Sequence, residues 1–271
     1  MSIIFAGKEF ASYLNYLEKQ GKELGVSLKI PEVLKPLIKL YIGLFGIPDL
    51  GFQERFYLFQ KSISELKGKV FIDAGCGNGV YSRFMASRFP RSEIYSLDIN
   101  KKIIELNKKM TTNPNIHFFY ADVMKKVPKL KNKADALWCL DVLEHIPNYR
   151  AAIQNMNQMI KKGGYLFIHV PTPHQRRWFK SFETWEHEDH AHDGISEKEL
   201  LSLLENYEIM RKKGTFGSVG SLLWETNILL FKRAPFIAAI LYPLLRILFY
   251  LDEIIPSKKY NCIGILAKKI T

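Results

Sequence analysis

The chain has 271 residues, room for one α/β domain with extensions or for two small domains. With 47% hydrophobic and 13% aromatic residues it is composed to bury a large core, which excludes a disordered segment. Three widely spaced cysteines, Cys76, Cys139 and Cys262, exclude a disulfide framework and a C-x-x-C zinc site and suit a reducing, cytoplasmic setting; the net charge of +12 raises the question of an anionic partner.

Residues 1 to 67 read as a helical extension. Leu14, Leu17 and Leu24 stand at partly helical spacing, and Pro31-Glu32-Val33-Leu34 resembles a helix opening with proline in the first turn. No basic region precedes the short apolar run at the start, so no signal peptide is expected. Gly43 to Gly51 is a glycine- and proline-broken connector, and Phe52 to Leu66 an amphipathic helix leading into the first strand.

That strand is the short β-branched run Val70 to Ile72, bounded by Gly68 and Gly75. Asp73 follows it, then Gly75, Gly77 and Gly79 at alternate positions, then apolar residues at helical spacing from Val80. Glycine is needed where the backbone turns with positive φ or lies against a ligand, and the helix start behind it offers free N–H groups. A dinucleotide fingerprint would need glycine at position 80, where this chain has valine.

Alternating elements come next, as a parallel sheet requires. Glu93 to Leu97 is a strand ending at Asp98, Lys101 to Met110 a helix, and Ile116 to Tyr120 a strand leading to Asp122. Ala134 to Leu140 is a fourth strand, ending at Asp141. Tyr149 to Ile160 is a helix closed by Lys161-Lys162-Gly163-Gly164, and Tyr165 to Val170 a fifth strand stopped by Pro171 and Pro173. Ser196-Glu197-Lys198-Glu199 reads as a capping box opening a helix to Asn206. Tyr207 to Thr215 and Tyr260 to Lys268 are the last two strands. Roughly 40 residues separate them, far more than a hairpin turn needs.

This insertion, 217–258, is apolar but broken by Lys232, Arg233 and Arg246. Its longest uncharged run falls short of the about 20 residues a membrane-spanning helix needs. A lid over the domain, a homodimer interface and a patch resting on an anionic membrane surface are the readings it leaves open. The lysine-rich stretch between residues 99 and 133 reads either as a solvated face or as an attraction to lipid headgroups or nucleic acid.

Asp73-x-Gly75-x-Gly77-x-Gly79 resembles motif I of the class I S-adenosylmethionine-dependent methyltransferases, and three later strand ends extend the resemblance over about residues 68 to 215. It implies an α/β, Rossmann-like seven-stranded sheet, six strands parallel and one antiparallel, with helices on both faces. The core would then be 68–216 with 259–271. It implies S-adenosylmethionine as cofactor, held by Asp73, Gly75, Cys76, Gly77 and Gly79 under its methionine and ribose. Asp98 would serve the ribose and Asp122 the adenine, Leu140 and Asp141 would flank the sulfur, and Ile99 and Val123 would be further cofactor contacts. The N-terminal extension of such enzymes covers the pocket, so Gln53, Arg55 and Tyr57 are candidate lining residues, with ordinary packing the plainer reading.

Methyl transfer from a sulfonium needs alignment and, for a hydroxyl acceptor, a base. Glu144, His145 and His190 are the candidates, His190 lying in the cluster Glu186 to Asp193. The stretch 141–145 is similar to that of quinone-biosynthesis O-methyltransferases, some of which bind a divalent cation there, although no metal is expected from these residues themselves. His169 reads as a core or edge histidine. No Asn-Pro-Pro-Tyr tetrad and no Pro-Cys nucleophile marks a base-modifying enzyme, and aromatics among the lysines are few, so no nucleic acid is expected. The expectation is O-methylation of a small, apolar or lipid-linked acceptor in the cytoplasm or on the inner face of its membrane. An RNA or protein methyltransferase and a catalytically silent cofactor-binding module are the alternatives.

Overall fold

The computed structural model describes residues 32–63, 66–182, 190–255 and 257–270. Leu14, Leu17, Leu24 and the acids and histidine at 186–189 lie outside them.

Seven strands form one sheet in the order β3-β2-β1-β4-β5-β7-β6. They are β1 (Val70–Ala74), β2 (Glu93–Asp98), β3 (Ile116–Tyr120), β4 (Ala134–Leu140), β5 (Ile160–Pro171), β6 (Tyr207–Thr215) and β7 (Cys262–Lys269). β1 to β5 pair in parallel, and β7 runs antiparallel between β5 and β6. The chain moves outward from β1 through β2 to β3, then returns to place β4 on the other flank of β1. The crevice between the carboxyl ends of β1 and β4 is therefore the switch point where open α/β sheets bind ligands.

Both faces of the sheet are covered, which is why the central strands are apolar throughout instead of alternating with polar residues. On one face Ile72, Leu137, Cys139 and Ile168 pack with α5 (Tyr149–Met159). On the other, Phe71, Ile94, Trp138 and Phe167 pack with α2 (Leu50–Ile63), α3 (Val80–Arg88) and α4 (Lys101–Met110), so neighbours along a strand serve opposite layers. Phe59 of α2 meets the Trp138 ring edge-on at 5.3 Å, locking the N-terminal extension to the middle of the sheet.

Several boundaries differ from the sequence reading. Gly43 does not break the chain: α1 (Lys35–Phe45) runs through it, and the break comes at Gly46, whose φ of 82° ends the helix. The α5 helix stops at Met159, and Ile160 already pairs with Ala134; the two lysines and two glycines after it belong to β5. There Lys161 caps no helix and instead pairs with Asp135. The Ser196 hydroxyl accepts the Glu199 N–H as expected, but α6 (Glu197–Ser202) is short and ends well before Asn206. The Glu199 carboxylate does not close the box; it takes Tyr149 and Arg150.

The insertion folds as α7 (Ser218–Arg233), α8 (Pro235–Phe249) and the single turn α9 (Leu251–Ile254). Tyr242, Leu245 and Phe249 of α8 bury against Leu50 and Phe216 in a satellite core of their own. Asp252 accepts the Gly217 and Gly220 N–H groups, capping the start of α7 that its own sequence leaves open.

Candidate active site

The turn after β1 is a backbone device. Gly75, Gly77 and Gly79 all have positive φ, and the Gly75 and Cys76 N–H groups both donate to the Leu97 carbonyl at 2.8 Å. A Cβ on Gly75 would stand 2.3 Å from Val142 Cγ2, so this glycine is there for close approach of the β4 loop. Gly77 is different: beyond its chain neighbours, no described residue comes within 4 Å of where its Cβ would be. Its N–H donates to Asp98 Oδ2 at 2.8 Å, and its carbonyl accepts from Asn107 Nδ2 at 2.8 Å. Arg83 in turn donates to Asn107 Oδ1 at 2.9 Å. Arg83 and Asn107 thus hold the turn from behind, a role that helical spacing alone did not disclose.

Two of the expected cofactor acids already hold hydrogen bonds within the protein. Asp73 is buried and accepts from Ser82 Oγ at 2.5 Å; burial pushes its carboxyl up to about 7. Asp122 accepts the Met124 N–H at 2.9 Å and so shapes its own turn. Asp98 stands at the end of β2 beside Gly77, with Ile99 next to it exposed to solvent. Val123 and Leu140 are buried in the walls, and burial raises the Cys76, Cys139 and Cys262 thiols, so none is a thiolate nucleophile.

The end of β4 gathers side chains from distant parts of the chain. Asp141 has φ of 50°, in the left-handed region, and its N–H donates to the His169 carbonyl at 3.0 Å. Arg55 Nε, from α2, lies 2.9 Å from Asp141 Oδ2, and His169 Nδ1 lies 2.5 Å from Oδ1. His169 Nε2 continues to Thr215 Oγ1 at 3.0 Å. Burial works to raise the Asp141 carboxyl, but the Arg55 charge and then His169 outweigh it and bring it to about 2. Of the three α2 candidates, Arg55 reaches the crevice. Gln53 turns back to the Ile47 carbonyl, and Tyr57 packs on Tyr250.

One turn further, the three residues chosen for the acceptor side meet. Glu144, His145 and His190 each bring one ligand-type atom to within 4.8 Å of the others, and the two imidazoles stand edge to face at 4.8 Å between centroids. The short turn Leu143–His145 carries the first two. His190 is brought in by its strap, where the Ala191 N–H donates to the Glu144 carbonyl at 2.8 Å and His192 reaches the Leu143 carbonyl at 3.1 Å. Glu144 is buried, its Oε2 without a partner among the described residues, and burial first, then the Asp141 charge, raises it to about 9. A buried, neutral carboxyl beside two imidazoles can hold a proton, hydrogen-bond an acceptor, or ligate a divalent cation once deprotonated.

Residues 52–208 match the family model described as a methyltransferase domain. The chain is 25% identical over 127 residues to a ubiquinone biosynthesis O-methyltransferase of Proteus mirabilis, covering 46% of this chain and 51% of that one. To the enzyme of the same name from Dechloromonas aromatica it is 30% identical over 105 residues, covering 38% and 44%. The chain thus aligns with about half the length of the curated relatives it matches. Among solved structures, an S-adenosylmethionine-dependent methyltransferase from Mesorhizobium loti superposes with a TM-score of 0.56 at 15% identity, covering 81% of this chain and 100% of that one. Haemonchus contortus phosphoethanolamine N-methyltransferase 2, solved with S-adenosyl-L-methionine, gives 0.57 at 14%, covering 81% and 53%. Likeness at this level shows the fold.

Proposed function

The chain belongs to the class I S-adenosylmethionine-dependent methyltransferases, and from that premise we propose that it methylates a small, apolar or lipid-linked acceptor at oxygen. The observation that carries the acceptor side is the meeting of Glu144, His145 and His190 beside Asp141, at the switch-point end of β4. The glycine turn fits the nucleoside on the other side: Gly77 faces open space where any side chain would intrude, with Asp98 and exposed Ile99 next to it. When bound, the sulfonium cofactor supplies an activated methyl group, so the protein's work is alignment and proton management.

In this reading the Asp98 carboxylate would accept the ribose hydroxyls with the lone pairs that the Gly77 and Asn100 N–H groups leave, with exposed Ile99 beside it. Arg55 and Asp141, charged and mutually held, fix the polar end of the crevice beneath the N-terminal extension. His145 or His190 takes the acceptor's hydroxyl proton as the new bond forms, with neutral Glu144 as a hydrogen-bond donor to the acceptor oxygen. The names of the aligned O-methyltransferases support oxygen as the atom methylated.

Mass spectrometry of a cell extract incubated with the protein and isotopically labelled S-adenosylmethionine tests this. A labelled small apolar product is expected; label in RNA or protein would overturn it. The same three side chains favour a second reading, in which a divalent cation at Glu144, His145 and His190 orients the acceptor oxygen. Loss of turnover on chelation and its return with added magnesium or zinc would favour that version.

A further inference from the structure

α8 is apolar on both sides. Its inner face, with Tyr242, Leu245 and Phe249, is buried in the satellite core. Its outer face shows solvent Phe236, Ile240, Leu244 and Ile247, exposed by 80%, 76%, 54% and 66% and recurring at helical spacing. α1 repeats the pattern with Leu37, Leu40 and Leu44, exposed by 63%, 60% and 55%. The two helices lie side by side, since the Tyr41 hydroxyl donates to the Ala239 carbonyl at 2.5 Å and Arg246 to the Phe45 carbonyl. A contiguous exposed apolar surface of this kind marks a contact with something that is not water.

Charge selects the occupant. α1 and α8 contain no acidic residue, and the one acid of α7, Glu225, is buried. Lys35 and Lys39 lie on α1, and exposed Lys232 and Arg233 stand immediately before α8. A second copy of the chain, paired face to face, would set these cations against themselves. An anionic bilayer offers hydrocarbon to the rows and phosphates to the cations. At 15 residues α8 is shorter than the about 20 needed to span, so it would lie in the plane of the surface. The inner side of the same helix packs on Phe216, next to Thr215 of the His169 chain, so a bilayer here would lie beside the acceptor end of the crevice.

We infer that the joined outer faces of α1 and α8 rest on an anionic lipid bilayer at the headgroup–acyl boundary. The inference needs no particular acceptor: the test uses vesicles that contain none, so it can fail while the labelled-product experiment succeeds, and the reverse.

The experiment is flotation of the full chain with vesicles of equal parts phosphatidylcholine and phosphatidylglycerol, against vesicles of phosphatidylcholine alone. Binding is expected to the anionic vesicles at low salt and to weaken as salt rises. The triple variant Phe236→Ser, Ile240→Ser, Ile247→Ser should lose about tenfold or more in partitioning. Should that variant misfold by circular dichroism, Lys232→Glu with Arg233→Glu is read instead and should remove the preference for anionic vesicles. No flotation of the unaltered chain at low salt overturns the inference, as does flotation unchanged by the folded variants. So does sedimentation velocity showing a dimer that ignores vesicles and dissociates in the triple variant, which would make a second copy the occupant.

Discussion

The two halves of the crevice are built by different means. The cofactor half is mostly backbone: positive-φ glycines, N–H groups turned on Leu97 and Asp98, and a turn fixed by residues close by in the chain. The acceptor half is mostly side chains, brought by α2, the β4 end, β5, the 190–194 strap and β6 to one place. Backbone geometry tolerates few substitutions but shifts few ionisation equilibria. Packed side chains do the opposite: Asp141 and Glu144, three residues apart, sit at about 2 and about 9. What differs is partnership, since Asp141 has Arg55 and His169 while the Glu144 Oε2 has none among the described residues.

Substitutions on each side would sharpen or break that contrast. The largest effect is expected at the acceptor: His145→Gln or His190→Gln should lower kcat by roughly 100- to 10,000-fold if that imidazole is the base, with KM for S-adenosylmethionine little changed. Steady-state kinetics on the identified acceptor would decide which of the two acts, and full activity in both variants would move the base elsewhere.

Next comes Asp73, the one strongly shifted acid on the cofactor side. Burial raises its folded value to about 7 from the usual 3.8, so the native chain holds the proton more tightly than the unfolded one. Its contribution to stability is full below about pH 4 and is lost as pH rises through about 7. Asp73→Asn should flatten that decline, by as much as about 4 kcal/mol above neutrality, in urea melts run across pH. A variant with the same pH slope as the parent would show that Asp73 does not carry it.

The glycines separate shape from ligand contact. Gly75→Ala should cost about 2–4 kcal/mol of stability, because its Cβ meets Val142 and its φ is left-handed. Gly77→Ala should cost about 1 kcal/mol in the same melts yet weaken S-adenosylmethionine binding more strongly, since its Cβ enters open space. Equal effects on melting and on calorimetric affinity would erase the distinction. Asp98→Ala should act on the cofactor alone, a loss in affinity of more than about tenfold; an unchanged dissociation constant would remove Asp98 from the ribose.

Much of the sheet was legible because parallel strands buried on both faces must be short apolar runs, and because glycine at 75, 77 and 79 has few other uses. Glu144, His145 and His190 were readable as chemical types. Their meeting was not, because 44 residues of chain separate His145 from His190 and the strap that joins them is held by backbone hydrogen bonds. His169 reads as a core or edge histidine and is buried, but its link to Asp141 depends on the pairing of β4 with β5. The start of β5 lies earlier than its apolar run implies, because lysines and glycines after a helix look alike whether they cap it or open a bulged strand.

By itself the sequence determined the order of the elements, the glycine turn and the acids at the strand ends, since each follows from local backbone preference or from strand periodicity. Only the tertiary structure decided which acids face the crevice, which buried carboxyl finds a cation, and that α1 and α8 leave apolar faces in solvent. Those outcomes depend on contacts between residues far apart in the chain, and no local pattern encodes the distance between them.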